Sequence, residues 1–251
     1  MVRRVRPRFS LVVLLFLVSG STGLLYEVAF GKLLGYVFGA TAYAVSTVLA
    51  SFMGGLALGA HVGGKHAAKF DKPLAAYGVL EIIVGLVCAI SPVALDALTR
   101  MYVTLAQQAP DSLATITALR ATVAVVIVIV PTVAMGATLP LLSRVVAGET
   151  GPESQRRLSL LYAINTAGGA FGALTSAYAI LPVLGVNGTI WAAAIANIII
   201  GTTAFIAGNR APAVSHKSYE VKTSGDLDVA PTTAPDREST MLAFAFASGL
   251  V

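Results

Sequence analysis

The chain has 251 residues, 56% apolar and only 12% charged, with a mean hydropathy of +0.81. Soluble domains carry about 25% charged residues, so too few polar groups remain here to cover a water-facing surface, and lipid must supply the missing environment. The net charge of +5 does not indicate nucleic acid, because Lys and Arg fall in short clusters between apolar runs with no aromatic-interleaved basic face.

Residues 1–8 carry Arg3, Arg4, Arg6 and Arg8 and read as a basic cytoplasmic N-terminus. A bilayer core needs about 20 apolar residues per helix, and six stretches approach or exceed that length: 9–30, 34–60, 74–95, 121–142, 158–184 and 189–207. The expected fold is therefore all-α, a polytopic transmembrane bundle filling residues 9–208. A signal peptide competes for the first segment, with Leu11–Val18 as its apolar region and Ser19-Gly20-Ser21 as a small-residue cleavage site. The apolar character continues through Leu24, Leu25, Val28 and Phe30, however, which favours a span.

Orientation follows from the cations. Lys65, Lys69 and Lys72 lie between spans two and three, Arg144, Arg156 and Arg157 between four and five, and Arg210, Lys217, Lys222 and Arg237 after six. With the N-terminal arginines they fall on one side, and the other holds only Lys32, Arg100 and Arg120 of the 17 cations. Cytoplasmic loops concentrate Lys and Arg, so both ends of the six-helix unit are expected in the cytoplasm, with the plasma (inner) membrane as the location.

The outer connection from Asp96 to Arg120 is long enough for a short helix at the interface. Residues 209–240, rich in Pro, Ser, Thr, Asp and Lys, read as a flexible cytoplasmic linker. Met241–Val251, "MLAFAFASGLV", is an apolar run that as a helix rises about 16 Å, half a bilayer core. It reads as the start of a further, truncated span, which makes the chain the front part of a longer protein.

Two carboxylates fall within spans, Glu27 near the outer end of the first and Glu81 in the cytoplasmic half of the third. An ionisable group at membrane depth is costly unless paired or hydrated, so both are candidate substrate-binding residues, with a structural pairing of Glu27 to Lys32 or to nearby hydroxyls at the interface as the plainer reading. Asn165 and Asn197 are polar within spans and join them as candidates, although interhelical hydrogen bonding explains such residues as readily.

Small residues recur at four-residue spacing: Gly31, Gly35 and Gly39; Gly55, Gly59 and Gly63; Gly168 and Gly172. On a helix each set forms a strip against which another backbone can pack. No strand precedes them, so they are not a nucleotide-binding fingerprint. Pro92, Pro131, Pro140 and Pro182 can kink or end helices.

His61, His66 and His216 lack metal-ligand spacing, and the single Cys88 lies in an apolar run, so no metal site is expected. No nucleophile elbow or phosphate-binding loop occurs. Glu149, Glu153 and the linker acids read as solvated. No soluble segment is long enough to fold a pocket for group transfer, so no catalytic residue and no cofactor is assigned to this chain.

Three runs carry a family resemblance: Ser19–Glu81, containing "YAVSTVLASFMGGLALG"; Pro131–Arg144, "PTVAMGATLPLLSR"; and Leu161–Leu174, "LYAINTAGGAFGAL". Together they resemble the membrane-spanning part of the fused spermidine-synthase-like proteins, over most of residues 10–208. The resemblance implies a polytopic N-terminal region of major-facilitator-like character ahead of a cytoplasmic aminopropyltransferase-like domain. That domain's glycine-rich donor loop and catalytic aspartate match no position here, so whether this chain takes part in a transferase is open. The turn Gly59–Pro73 occupies the place of the major-facilitator loop motif with glycines and cations present and its acid, Asp71, displaced late.

Three functions follow as expectations. The first is a membrane module that anchors or serves an aminopropyltransferase-like domain not contained in this chain. The second is half of a major-facilitator-like transporter for a small solute, cations included, completed by a second membrane half. The third is an anchor or assembly module without activity. The lipid bilayer is the partner common to all three.

Overall fold

Apolar residues run all round most of these helices, as expected for helices meeting lipid on one side and protein on the other. The computed structural model describes residues 9–38, 42–108, 113–146 and 152–212. These form α1 (Phe9–Phe38), α2 (Ala42–His66), α3 (Pro73–Gln108), α4 (Leu113–Gly136), α5 (Thr138–Val146), α6 (Pro152–Thr175) and α7 (Leu181–Arg210). A 3-10 turn at Ala67–Lys69 follows α2, and a π turn at Ser176–Ile180 joins α6 to α7. The basic N-terminus, Gly39, the linker from 213 to 240 and the run Met241–Val251 lie outside the described residues, as does all of the separate unit Lys217–Val251.

Within the described residues every element is helical, and five stretches are long and apolar enough to cross a membrane: Phe9–Gly35, Val45–Lys69, Pro73–Leu105, Val125–Val146 and Glu153–Arg210. The helices overrun the expected boundaries. α1 runs to Phe38 and takes the first residues assigned to the second span. The expected outer connection from 96 to 120 is largely helix, because α3 continues to Gln108 and α4 begins at Leu113. Ala, Leu, Met and Gln dominate Ala97–Gln108, and all are good helix formers outside as well as inside a membrane.

Proline chemistry sets the breaks. Pro140 lacks the N–H that would bond the Gly136 carbonyl, and its ring crowds that carbonyl. The helix accordingly ends at Gly136 and restarts at Thr138. After Thr175 the Leu181 N–H reaches the Ser176 carbonyl, a five-residue hydrogen bond of the π type.

The last apolar stretch is 58 residues long, which straight would span about 87 Å, nearly three bilayer cores. It is not straight. Gly185 has φ 67° and ψ −178°, a conformation essentially restricted to glycine. The chain reverses there. α6 runs parallel to α1, since Leu17 meets Gly168 and Ser21 meets Gly172. α7 runs antiparallel to α3, with Ala75 at Gly208, Gly78 at Gly201 and Ala89 at Trp191.

Three helix pairs are joined along glycine seams. In α1/α6 the close approaches are Gly20 on Asn165, Gly168 on Leu17 and Gly172 on Ser21. In α2/α4, Gly55 meets Thr132, Gly59 meets Val133 and Gly136, and Gly63 meets Ala137 at the α4–α5 break. In α3/α7, Gly78 and Gly201 pack on each other, and Gly208 packs on Ala75. A β-carbon at any of these glycines would fall on backbone or the base of a side chain, so the pairs approach as small-residue membrane helices do.

Two of the expected strips therefore pack, and the described part of the third, Gly31 and Gly35, does not. Gly31 and Gly35 have no atom of the described residues within 4 Å of where a β-carbon would lie. Outward-facing positions of α3 form a continuous apolar row, Val79, Ile83, Leu86, Ile90 and Val93, all 40% exposed or more. That row suits contact with acyl chains.

Candidate functional site

Large side chains fill the interior in two groups. One, around Phe16, Tyr77, Leu142, Leu161 and Ile200, lies toward the Phe9 end of α1, and the other, around Tyr26, Phe30, Phe52, Leu95 and Ile190, toward the Phe38 end. Between them, α1 and α3 bring polar groups together. Leu15, Ser19, Thr22 and Tyr26 on α1 and Tyr77, Glu81, Cys88 and Ser91 on α3 recur at spacings of three, four or seven residues, so each set occupies one helix face.

Glu81 is 2% exposed. Its Oε1 accepts a hydrogen bond from the Ser19 hydroxyl at 2.6 Å, and the Tyr77 hydroxyl also interacts with the carboxyl. Tyr77 is fully buried, its ring edge-on to Phe16 with centroids 6.4 Å apart, and its hydroxyl donates weakly to the Leu15 carbonyl at 3.5 Å. Toward the other end, Tyr26 stacks on Phe30 at 6.0 Å and sets its hydroxyl near the Cys88 thiol. That hydroxyl has no hydrogen-bond partner of ordinary geometry among the described residues. Thr22 and Ser91 return their hydroxyls to their own helices, at the Ser19 and Cys88 carbonyls.

Of the four expected site residues, Glu81 alone enters this cluster. No hydrogen bond or ion pair among the described residues joins it to Glu27, Asn165 or Asn197. Glu27 lies eight residues beyond Ser19, a rise of about 12 Å. It is half-buried, and its Oε2 is enclosed without a hydrogen-bond partner. The alternative pairing with Lys32 does not form: five residues apart on a helix, the two side chains point about 140° apart. α1 also extends eight residues beyond the expected end of the span, so Glu27 is farther from the helix terminus than the sequence implies.

Asn165 is placed at the α1/α6 seam, where its Oδ1 and carbonyl lie against Gly20. Asn197 is 2% exposed, opposite Gly85 on α3, with its Oδ1 unpartnered. Ser19 and Tyr77 are the side chains of the cluster that sequence reasoning missed. Tyr77 stands four residues before Glu81, one helical turn away on the same face, and that spacing was the available signal.

His61 and His66 are exposed, and no group of three His, Cys, Asp or Glu side chains converges among the described residues. Two surface cavities lie at opposite ends of the bundle. One of about 580 Å³ is lined by Leu33, Pro92, Asp96, Thr99, Arg100 and Trp191 among others. The second, of about 470 Å³, is lined by residues of α2, α3, α5 and α7. Neither reaches Glu81. The cluster is chemically a carboxyl that accepts from the Ser19 hydroxyl beside the Tyr77 hydroxyl in a closely packed apolar interior, where binding a cation or exchanging a proton requires α1 and α3 to part.

The fold and this site define a class, an all-helical bundle with several helices of membrane-crossing length around a buried polar cluster. Comparison with protein-family models, characterised proteins and solved structures gives no match for the chain.

Proposed function

We propose that this chain is the membrane module of a fused spermidine-synthase-like protein, a six-span unit that holds an aminopropyltransferase-like domain at the cytoplasmic face. The carrying observation is where the resembling runs fall. "MGGLALGAHVGG" supplies the α2 side of the α2/α4 seam, "PTVAMGATLP" supplies its α4 side and the break before α5, and "AINTAGGAFG" supplies the α6 side of the α1/α6 seam. Those runs are the residues that build the bundle, so a shared pattern there carries a shared architecture.

The reversal at Gly185 supports six spans, with α4 and α5 counted as one and α6 and α7 as two. The pairing supports the major-facilitator-like form. Exchanging the first three spans for the last three maps the parallel pair α1/α6 onto the parallel pair α4/α2 and returns the antiparallel pair α3/α7 to itself. That is the pattern of an inverted repeat. The cations Lys65, Lys69, Lys72, Arg144, Arg156, Arg157 and Arg210 gather at one end, which supports the cytoplasmic assignment of that end in a plasma (inner) membrane.

The sealed interior favours a holding role over a through-path. The fused protein that joins this chain to such a domain, purified from its own membranes, should carry aminopropyl transfer from decarboxylated S-adenosylmethionine to putrescine. Preparations of intact, monodisperse protein without that activity would refute the reading.

A second reading, half of a transporter for a small cationic solute, is favoured by the buried carboxyl with its Ser19 partner. Calorimetry with putrescine and spermidine should then give saturable binding to the wild type and at least tenfold weaker binding to Glu81→Gln, about 1.4 kcal/mol. Equal titrations for the two proteins would remove Glu81 from any polyamine site.

A further inference from the structure

The cavity at the cation-rich end is unlike the interior cluster. Its walls are apolar, formed by Val62, Val79, Leu80, Leu141 and Phe205, and its mouth carries Lys72. Lys72 precedes Pro73, the first residue of α3, so its ammonium stands at the positive end of a 36-residue helix. Two of its three N–H donors make long contacts with the Asn209 carbonyl and Oδ1, at 3.3 and 3.4 Å. The side chain is thus oriented but not saturated. Lys65 and Lys69 lie in the same α2–α3 connection, and Arg210 closes α7 beside Asn209. Asp71 is the one acid of that connection and is not part of the lining.

From Lys72 the groove follows α3 to Val79 and Leu80, a rise of about 11 Å. It therefore starts at the expected headgroup level and descends into the hydrocarbon layer. An apolar trough open along its side, with an ammonium at its shallow end, matches an amphiphile in both shape and charge.

We propose that this groove, between α2, α3, α5 and α7, binds one anionic phospholipid, its phosphate against Lys72 and an acyl chain along Val79, Leu80, Leu141 and Phe205. The assignment rests on the membrane reading and on the cation-rich end facing the anionic leaflet. Basic pockets between membrane helices are the usual seat of such headgroups. A zwitterionic lipid would fill the trough and offer a phosphate, but its own ammonium already offsets that charge. A free phosphate would meet the ammonium but leave the trough empty.

The full chain, reconstituted in nanodiscs of mixed phosphatidylglycerol and phosphatidylethanolamine and released into mild detergent, should retain one phosphatidylglycerol by native mass spectrometry. Retention over phosphatidylethanolamine should be about five-fold. Lys72→Gln should abolish that preference. Val79→Trp, at a position already 40% exposed and therefore compatible with folding, should lower retention of both lipids by crowding the trough. Millimolar inorganic phosphate should displace neither.

Loss of the retained lipid to inorganic phosphate would assign the site to a free anion and overturn the proposal. So would an unchanged preference in Lys72→Gln. Release of the chain from membranes by alkaline carbonate tests the membrane reading separately, so a chain that resists extraction yet shows no lipid preference refutes the groove alone.

Discussion

A methyl group added at Gly172 should loosen the pairing of α1 and α6, whereas one added at Gly31 should not. A β-carbon at Gly172 would lie 2.7 Å from both the Ser21 carbonyl carbon and its Cα. Non-bonded carbons rest at about 3.5–4.0 Å, so the helices must part by about 1 Å. A gap of that size forfeits a quarter to a half of each contact along the seam, and overpacking of this kind costs about 1–3 kcal/mol. At Gly31 no described atom lies within 4 Å of the added carbon. Both substitutions gain the same helix propensity, about 1 kcal/mol over glycine, so the difference between the two variants isolates the packing cost.

In a chain of this size each kcal/mol moves the midpoint by about 2–4 °C. Thermal unfolding in mild detergent, followed by loss of the monodisperse species, should therefore place Gly172→Ala about 2–12 °C below Gly31→Ala. Equal midpoints would mean that the seam is not a packed contact, and the pairing argument built on it would fail.

Three further outcomes can be checked, two from the geometry and one from the expected topology. Gly185→Ala has room for its methyl group but forces a side chain into φ 67°, so it should destabilise the reversal by about 1–3 kcal/mol; a wild-type midpoint would show that the turn is not obligatory. Cys88 is fully buried and should resist an impermeant maleimide. In a Cys88→Ala background, a cysteine at Leu184 should label from outside intact cells and one at Lys65 only after permeabilisation, and the reverse pattern would invert the topology.

The architecture was legible because its causes are local and repeated. Long apolar segments and glycines four apart require only composition and the period of a helix. What the sequence concealed depends on which helices meet. Gly31 and Gly55 look alike as parts of glycine strips, yet Gly31 faces open space and Gly55 faces Thr132. Gly20, Gly78, Gly136, Gly201 and Gly208 pack just as tightly without a four-residue strip to reveal them. The cluster was half legible. A buried glutamate marks itself by its cost in an apolar run, but its partner Ser19 is 62 residues away and in sequence resembles one more small residue of a possible cleavage site. Glu27 met the same criterion and was placed apart from the cluster, since depth in a span does not set the direction in which a side chain points.

The decisive question for Glu81 is whether anything outside reaches it. α1 is held to α6 by backbone contacts at Gly168 and Gly172, while between α1 and α3 the cluster meets through side chains: Ser19 with Glu81, Tyr77 with the Leu15 carbonyl, and Phe16 with Tyr77. The Phe16–Tyr77 pair closes the side of the carboxyl that faces the Phe9 end of α1. Any access from that side requires the pair to separate, and side-chain contacts yield more easily than seams in which no side chain intervenes. Removing the Phe16 ring takes away half of that closure. Phe16→Ala should expose Glu81 to a water-soluble carbodiimide that leaves the wild type unmodified, read by mass spectrometry of the peptide carrying Glu81. The cost of the cavity, about 3–5 kcal/mol, calls for a check that the variant remains monodisperse. If Glu81 in a folded Phe16→Ala protein stays unreactive, the aromatic pair is not its barrier. Modification of the wild type at the same rate would mean that the interior is already open, and the holding role would lose its main support.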